Sequence, residues 1–189
     1  MRIISGKFRG RKILTYDSKS MRPTMSKAKE ALFNILTHGG FGKDNANIIN
    51  DSVVLDLYCG CGSLGLEAMS RGAKQAIFID IDKNHLEVVE ENAKNFGIID
   101  HVSLIRADSS IPPQSHFACD LVFLDPPYNS GLIKKTLKNL INSGWLKEGS
   151  ILVVESPKQE DLVLPEAFEL IEQRKYGNCK ISILKTQGV

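Results

Sequence analysis

The stretch Val53–Leu57, VVLDL, runs directly into the glycine-rich segment YCGCGSLG at residues 58–65. Five residues that are apolar apart from one aspartate predict a buried strand. Gly60, Gly62 and Gly65 have the spacing G-x-G-x-x-G, which predicts a tight turn that opens a helix. A strand, a glycine turn and a helix in this order are the repeating unit of parallel α/β sheets. We therefore expect an α/β fold built on a mostly parallel sheet.

The same alternation of strands and helices continues down the chain. The sequence predicts helices at 64–71, 83–96 and 132–141 and strands at 76–80, 102–108, 120–125 and 151–155. These strands are apolar on both faces, which is typical of a parallel sheet covered by helices on both sides. The two last stretches, FELIEQRKYG and NCKISIL, predict an antiparallel hairpin at the sheet edge.

The chain before the first strand predicts a small addition to this sheet. Residues 2–14 contain two short apolar stretches separated by glycines, a pattern that favours a hairpin. A helix follows, which Thr24 or Ser26 can cap. Because residues 40–51 are polar and loop-like, we predict two parts: a basic N-terminal extension at 1–40 and the core domain at 41–189.

The composition is that of an ordinary globular protein. The chain has 189 residues, of which 42% are hydrophobic and 24% charged, enough for one full domain. We see no targeting segment and no apolar run long enough to span a bilayer. Four cysteines are too few and too scattered for a disulfide scaffold. We therefore expect a cytoplasmic monomer without a membrane partner.

The net charge of +2 conceals an uneven distribution. Residues 1–29, which we call the basic arm, carry nine Lys or Arg and one acid, or +8; the remaining 15 basic and 21 acidic residues give −6. Apolar residues alternate with these charges, which a solvated tail would not need. Arginine side chains also suit phosphate groups. The arm therefore favours a polyanion partner such as RNA, with a solvated tail as the alternative.

Carboxylates stand at the ends of four predicted strands, where open α/β sheets bind their ligands: Asp56, Asp80, Asp108 and Asp125. Asp80 can accept from both ribose hydroxyls of a nucleoside cofactor, and Asp108 can meet an adenine amine. Asp56 would repel the pyrophosphate of a nicotinamide dinucleotide but suits an ammonium or a sulfonium. S-adenosylmethionine carries both cations. A buried carboxylate bonded to loop amides is the alternative for Asp56.

The fourth strand ends in FLDPPYN at residues 123–129. A proline after Asp125 disfavours helical backbone there, and Pro126 and Pro127 have no N–H to donate. The segment therefore presents acceptors, the Asp125 carboxylate and the Pro126 carbonyl, which suit the two hydrogens of a planar amine. Tyr128 offers a face on which a base can stack. A tight turn with a buried tyrosine is the alternative.

A metal site is not expected. Cys59 and Cys61 form a C-x-C pair inside the glycine turn, which lacks the ligand spacing of a zinc site, and no histidine nearby completes one. They are more simply explained as small residues in a cramped turn.

The order of glycine turn, acidic second strand and D-P-P-Y resembles the Rossmann-like S-adenosylmethionine-dependent amino-methyltransferases. More narrowly, the chain is similar over essentially its whole length to the bacterial 16S ribosomal RNA guanine-N2 methyltransferases of the RsmD type. The stretches that carry this similarity are MRIISGKFRGRKI, RPT, KEALFNIL, VLDLYCGCGSLGLEAMSRGA and LVFLDPPY. Met25, Ser26 and Lys27 stand where the family usually has threonine, aspartate and arginine, and Cys59 and Cys61 replace other small residues.

The resemblance implies methyl transfer from S-adenosylmethionine to the exocyclic amine of one guanine in small-subunit rRNA, either assembled or bound to protein. The candidate catalytic residues are Asp125, Pro126, Pro127 and Tyr128. The candidate cofactor-binding residues are Asp56, Tyr58, Cys59, Gly60, Gly62, Gly65, Asp80, Ile81, Asp108 and Asp125. The candidate nucleic-acid-binding residues are Lys7, Arg9, Arg11, Lys12, Arg22, Thr24 and Lys27.

Three competing interpretations share parts of this pattern. Adenine-N6 methyltransferases of RNA or DNA use D-P-P-Y on another exocyclic amine, and glutamine-N5 protein methyltransferases use a related N-P-P-Y. A non-catalytic RNA-binding module could keep the fold without transfer. The basic arm and the RPT stretch favour the rRNA guanine, because the core motifs do not distinguish the amine.

Overall fold

The structure is a computed structural model that describes residues 1–16, 23–128 and 131–189, with the backbone alone at residues 23–26. The predicted RNA-binding residue Arg22 and the side chain of Thr24 lie outside the described residues. Within the described part of the chain, no helix combines the length and apolar character needed to cross a membrane.

The described residues form four α-helices and seven β-strands. The helices are α1 Pro23–His38, α2 Ser63–Ser70, α3 Lys83–Phe96 and α4 Leu132–Ile141. The strands are β1 Val53–Leu57, β2 Gln75–Asp80, β3 Val102–Arg106, β4 Leu121–Leu124, β5 Ile151–Pro157, β6 Phe168–Tyr176 and β7 Cys179–Thr186.

All seven strands belong to one sheet in the order β3-β2-β1-β4-β5-β7-β6. The first five are parallel, and β7 runs antiparallel to both β5 and β6. The predicted α/β fold with a C-terminal antiparallel hairpin is confirmed. β2 lies on one side of β1 and β4 lies on the other, so the direction in which successive strands are added reverses there. The sheet therefore has its switch point between β1 and β4. Ligands of open α/β sheets bind at the carboxyl ends of strands at such a point.

The sheet separates two hydrophobic clusters. Val54, Phe78, Phe123 and Val153 pack into the cluster formed with α1, α2 and α3, whereas their neighbours in sequence pack into the cluster formed with α4. Side chains alternate between faces along a strand. The residue two positions after each of these four therefore faces the α1–α3 side as well.

The N-terminal residues form a short version of the predicted hairpin. An antiparallel bridge joins Arg2 and Lys12, and further backbone hydrogen bonds connect residues 1–3 with residues 10–13. The N–H groups of Ile4 and Ser5 donate instead to the Glu67 carboxylate on α2, at 2.9 and 3.0 Å. The hairpin is therefore held both by its own backbone bonds and by α2.

Apolar side chains of this segment enter the same core as the sheet. Ile3, Phe8 and Ile13 are 2%, 4% and 1% exposed and belong to the cluster on the α1–α3 side. A Cβ atom at Gly6 would overlap the carbonyl oxygen of Ser70, so the backbone approaches α2 as closely as glycine allows. The first residues of the basic arm are therefore packed into the core. The predicted division of the chain at residue 40 stays a prediction.

Candidate active site

Four carboxylates lie side by side at one edge of the sheet, and we call them the carboxylate row: Asp80, Asp56, Asp125 and Glu155. They belong to or directly follow β2, β1, β4 and β5, which are neighbours in that order. Each stands two positions after a side chain that packs on the α1–α3 side, so all four face that side. The row crosses the switch point between β1 and β4.

Two members of the row hold the glycine turn in place. The Gly65 N–H donates to Asp56 Oδ2 at 2.8 Å, and the Gly60 N–H donates to Asp80 Oδ2 at 2.9 Å. Gly60 and Gly62 have φ values of 53° and 76°, a region that residues with side chains rarely adopt. The G-x-G-x-x-G spacing therefore forms a turn whose amides are anchored by acids of two neighbouring strands.

Asp56 is enclosed, with 2% of its surface exposed. This burial raises the pKa of Asp56 to about 7, although the hydrogen bond from Gly65 and the charge of Lys29 oppose the rise. The geometry fits the alternative of a buried carboxylate bonded to a loop amide. Direct contact between Asp56 and a cofactor stays a prediction.

Asp80 has both carboxylate oxygens engaged. Oδ1 accepts from the Asp82 N–H at 2.9 Å, and His85 Nδ1 lies 3.3 Å from Oδ2. A carboxylate has about four acceptor sites, so further donors such as hydroxyls can still approach. Ile81 follows with 66% of its surface exposed and adds an apolar patch next to the acid.

The loop after β3 contacts the glycine turn through Ser109. The Tyr58 N–H donates to Ser109 Oγ at 3.0 Å, and Ser109 Oγ donates to the Ile79 carbonyl at 3.1 Å. The preceding residue, Asp108, is exposed and accepts from the hydroxyl and N–H of Ser110 at 2.7 and 2.8 Å. These bonds lower the pKa of Asp108. An ionised carboxylate thus stands beside the turn.

The segment after β4 joins a partly buried acid to an exposed ring. Pro126 is buried and Pro127 is exposed, and Tyr128 is 48% exposed, unlike the buried tyrosine of the alternative interpretation. Burial raises the pKa of Asp125 to about 8, and the charges of Glu155 and a second acid of the row add to this effect. The catalytic role of these four residues stays a prediction.

Glu155 is the member of the row that the sequence analysis missed. Its Oε1 accepts from the Tyr128 hydroxyl at 2.8 Å, so it is tied directly to the D-P-P-Y segment. Burial also raises the pKa of Glu155. The signal was present, because ILVVESP is an apolar strand interrupted by an acid near its end, as VVLDL is at Asp56.

The basic arm presents its charges to solvent above an aromatic stack. Lys7, Arg9, Arg11 and Lys12 are all exposed. The charged groups of Lys7 and Arg11 lie 5.4 and 5.5 Å from the ring centroid of Phe8, which stacks on the α3 residue at position 96. Exposed Lys27 on α1 carries another positive charge. RNA binding by these residues stays a prediction.

One basic residue of the arm serves a different purpose. Lys29 is 8% exposed, and its Nζ donates to the Ser63 carbonyl at 2.7 Å and lies 3.3 Å from Glu67. Because Ser63 opens α2 directly after Gly62, Lys29 connects α1 to the glycine turn. Its charge is paired inside the protein and is not presented to a partner.

The cysteines of the turn are enclosed. Cys59 is 7% exposed, and burial raises the pKa of its thiol. The Cys59 N–H donates to the Ile79 carbonyl at 3.3 Å, so this residue helps to join β1 to β2. Over residues 1–16, 23–128 and 131–189, no three His, Cys, Asp or Glu side chains are grouped to hold a metal ion.

A model of the family described as Conserved hypothetical protein 95 matches residues 1–185. The chain belongs to this family. A relative from Haemophilus influenzae, named ribosomal RNA small subunit methyltransferase D, is 34% identical over 94% of this chain and 89% of its own length. The resemblance noted in the sequence is thereby confirmed, and the family is one of methyltransferases.

Solved structures agree with the fold. The Escherichia coli protein yhhF covers 100% of this chain and 99% of its own, with a TM-score of 0.85 and 28% identity. An RNA methyltransferase from Salinibacter ruber, solved in complex with S-adenosyl-L-homocysteine, has a TM-score of 0.62 and covers 89% of this chain and 94% of its own. It is 16% identical and so shares the Rossmann-like fold alone.

Proposed function

We propose that the protein transfers a methyl group from S-adenosylmethionine to the exocyclic N2 amine of a guanine in 16S ribosomal RNA. The carboxylate row carries this proposal, because it places acidic acceptors beside a glycine turn and next to an exposed aromatic ring. The relative named ribosomal RNA small subunit methyltransferase D supports both the reaction and the class of RNA.

The chemistry of the row fits this cofactor. S-adenosylmethionine carries a sulfonium and an ammonium, and when bound it supplies an electrophilic methyl group. Burial raises the pKa of both Asp56 and Asp125, so a cation between these acids would favour their ionised forms. The glycine turn and Asp80 would hold the cofactor, Ile81 would cover its ring, and Asp108 would meet the adenine amine.

Asp125 and Pro126 would hold the target amine. The lone pair of the guanine 2-amino group is delocalised into the ring, which makes the nitrogen a weak nucleophile. Accepting its two N–H bonds at the Asp125 carboxylate and the Pro126 carbonyl favours a pyramidal nitrogen whose lone pair points at the methyl group. Alignment of the two reactants is then the main catalytic contribution.

Ionised Asp125 would also stabilise the positive charge that develops on the nitrogen. With a pKa of about 8, this carboxyl is mostly protonated at neutral pH when no cation is near. A cationic cofactor in the row would shift it to the ionised form before the amine arrives. The sulfur–methyl bond would break as the nitrogen–methyl bond forms, which would leave S-adenosylhomocysteine as a neutral thioether. The proton of the methylated amine can then leave through Asp125 or water.

The target base would have to be unpaired or flipped out to enter this pocket. The exposed ring of Tyr128 offers a surface on which it can stack. The exposed charges of the basic arm would hold the phosphates of the surrounding RNA. Together these features favour an RNA substrate over a small molecule or a protein side chain.

The test is to map the modified base. Small-subunit particles from cells that lack this protein are incubated with the enzyme and methyl-labelled S-adenosylmethionine, and the digested rRNA is analysed by mass spectrometry. We expect N2-methylguanosine at one position in 16S rRNA. Asp125→Ala should abolish transfer, and calorimetry should show a much smaller effect on cofactor binding, because Asp56, Asp80 and the glycine turn remain.

A matched control is Glu169→Gln, which changes an exposed acid on β6 and should methylate at the wild-type rate. Label in N6-methyladenosine, or in protein, would refute the proposal. Substantial turnover by Asp125→Ala would refute the assignment of the catalytic acid.

A further inference from the structure

We infer that Glu155 is the residue that selects guanine, by accepting the N1–H of the target base while Asp125 accepts its 2-amino group. This inference rests on the proposed function and extends it to a position outside D-P-P-Y. The carboxylate row would then bind both the amine and the ring that carries it.

The strand register places Glu155 next to Asp125. β4 and β5 are parallel neighbours, and Leu124 pairs with Val154, so the two acids are the next residues in the same register. Paired residues of adjacent strands are about 5 Å apart. Both side chains face the α1–α3 side, and the charge of Glu155 contributes to the raised pKa of Asp125. Two carboxyl groups therefore stand side by side.

Two neighbouring acceptors match one edge of guanine. Guanine presents its 2-amino group directly beside N1–H, so this edge offers adjacent donors. Adenine presents its 6-amino group beside a bare N1, which is an acceptor and would face the Glu155 carboxylate without a hydrogen. A site that hydrogen-bonds a substrate N–H discriminates against an analogue without it, because its own polar group is then left unpaired.

Tyr128 orients the Glu155 carboxylate. Its hydroxyl donates to Oε1 at 2.8 Å, which fixes the side chain and occupies one of about four acceptor sites. The ring of the same tyrosine is 48% exposed and available for stacking. The ring of Tyr128 would thus fix the plane of the stacked base, and its hydroxyl would orient the Glu155 carboxylate towards the N1–H of that base.

The experiment replaces guanine by 2-aminopurine, which keeps the 2-amino group and lacks the N1 hydrogen. 16S rRNA is ligated from two pieces with either base at the mapped position and reconstituted with small-subunit proteins. We expect the wild type to prefer guanine by about 10- to 100-fold in kcat/KM. In Glu155→Gln the amide can donate to the bare N1, so the preference should fall to about one or reverse.

Tyr128→Phe tests whether the preference for guanine comes from Glu155 itself or from the tyrosine that orients it. It removes the hydroxyl that bonds to Glu155 and leaves the carboxylate, so transfer should slow and the preference for guanine should fall less than in Glu155→Gln. Glu155→Asp keeps the acceptor chemistry on a shorter side chain and should also prefer guanine. The inference is overturned if Glu155→Gln keeps the wild-type preference, or if Tyr128→Phe loses the preference to the same extent.

The outcomes also separate this inference from the proposed function. If the wild type methylates adenine, or no base, the proposed function fails. If it methylates guanine N2 and Glu155→Gln discriminates as the wild type does, the selecting role of Glu155 alone fails. Cofactor binding by calorimetry and circular dichroism of each variant establish that the folded protein is being compared.

Discussion

Asp125 links the candidate site to the stability of the protein. Burial first, and then the charges of Glu155 and Asp56, raise its pKa from 3.8 to about 8. A folded-state pKa above the unfolded value means that the folded protein binds more protons between those two pH values. The free energy of unfolding should therefore be greatest at the acidic end of this interval and decline as the pH rises through it.

Asp125→Asn should remove part of this decline. We expect the variant to melt within a degree or two of the wild type near pH 4 and several degrees higher near pH 8.5, since about 1 kcal/mol corresponds to roughly 2–4 °C in a chain of this size. Melting curves without cofactor at both pH values measure the difference. The exposed Asp100→Asn should follow the wild type, and an equal gap at the two pH values would contradict the argument.

For single residues, the sequence predicted that acids stand at the ends of several neighbouring strands, but it did not predict their hydrogen-bond partners. Asp56 and Asp80 were found because each stands at the end of an apolar run. Their bonds to Gly65 and Gly60 join residues on different elements, and no local pattern reports such a contact. Glu155 was missed for a similar reason, since its importance comes from β5 lying beside β4.

Among the elements, predictions succeeded where local signals define both ends. α3 spans Lys83–Phe96 as predicted, because Asp82 caps its first turn by accepting from the Asn84 N–H at 2.9 Å and Gly97 ends it at φ 69°. The predicted N-terminal hairpin is present but short, because the N–H groups of Ile4 and Ser5 donate to α2 and not across the hairpin. Their acceptor is Glu67, a residue far away in sequence.

Glu67 connects three elements around the glycine turn. It is fully buried and accepts from the backbone of the N-terminal segment, from Arg71 Nε at 2.9 Å, and pairs with Lys29. Taking away one partner of a buried ion pair leaves the other charge buried without compensation. The arm, α1 and the start of α2 should therefore lose stability together when this carboxylate is removed.

Glu67→Ala should lower the free energy of unfolding by about 3–5 kcal/mol. The matched control is Glu87→Ala, because the Lys83–Glu87 pair at 2.9 Å is solvent-exposed at both ends, 69% and 55%. Exposed helical pairs contribute only about 0.3–0.5 kcal/mol. Urea unfolding of the two variants measures the difference, and similar losses would mean that Glu67 does not hold these elements together.

In the described residues, the basic side chains of the arm and the carboxylate row lie in two different places. The positive charges of the arm are exposed where the N-terminal segment packs on α2 and α3, whereas the carboxylate row lies at the carboxyl ends of the strands. The glycine turn connects the two, since α2 begins there and also holds the segment through Glu67. An RNA bound to the arm would thus be fixed relative to the turn that we propose as the cofactor site.

Removing three charges of the arm should weaken RNA binding and reduce its dependence on salt. Each phosphate contact adds about 0.7 to 0.9 to the slope of log K against log salt, so the triple alanine variant should lower the slope by about 2 to 3. The changed residues are Arg9, Arg11 and Lys12.

The control removes the same charge from exposed lysines near the amino ends of the strands: Lys43, Lys74 and Lys185. Binding to 16S rRNA, measured by filter retention between about 50 and 300 mM salt, gives both slopes. If the control lowers the slope as much as the arm variant, the attraction comes from net charge and the arm is not the surface that meets the phosphates.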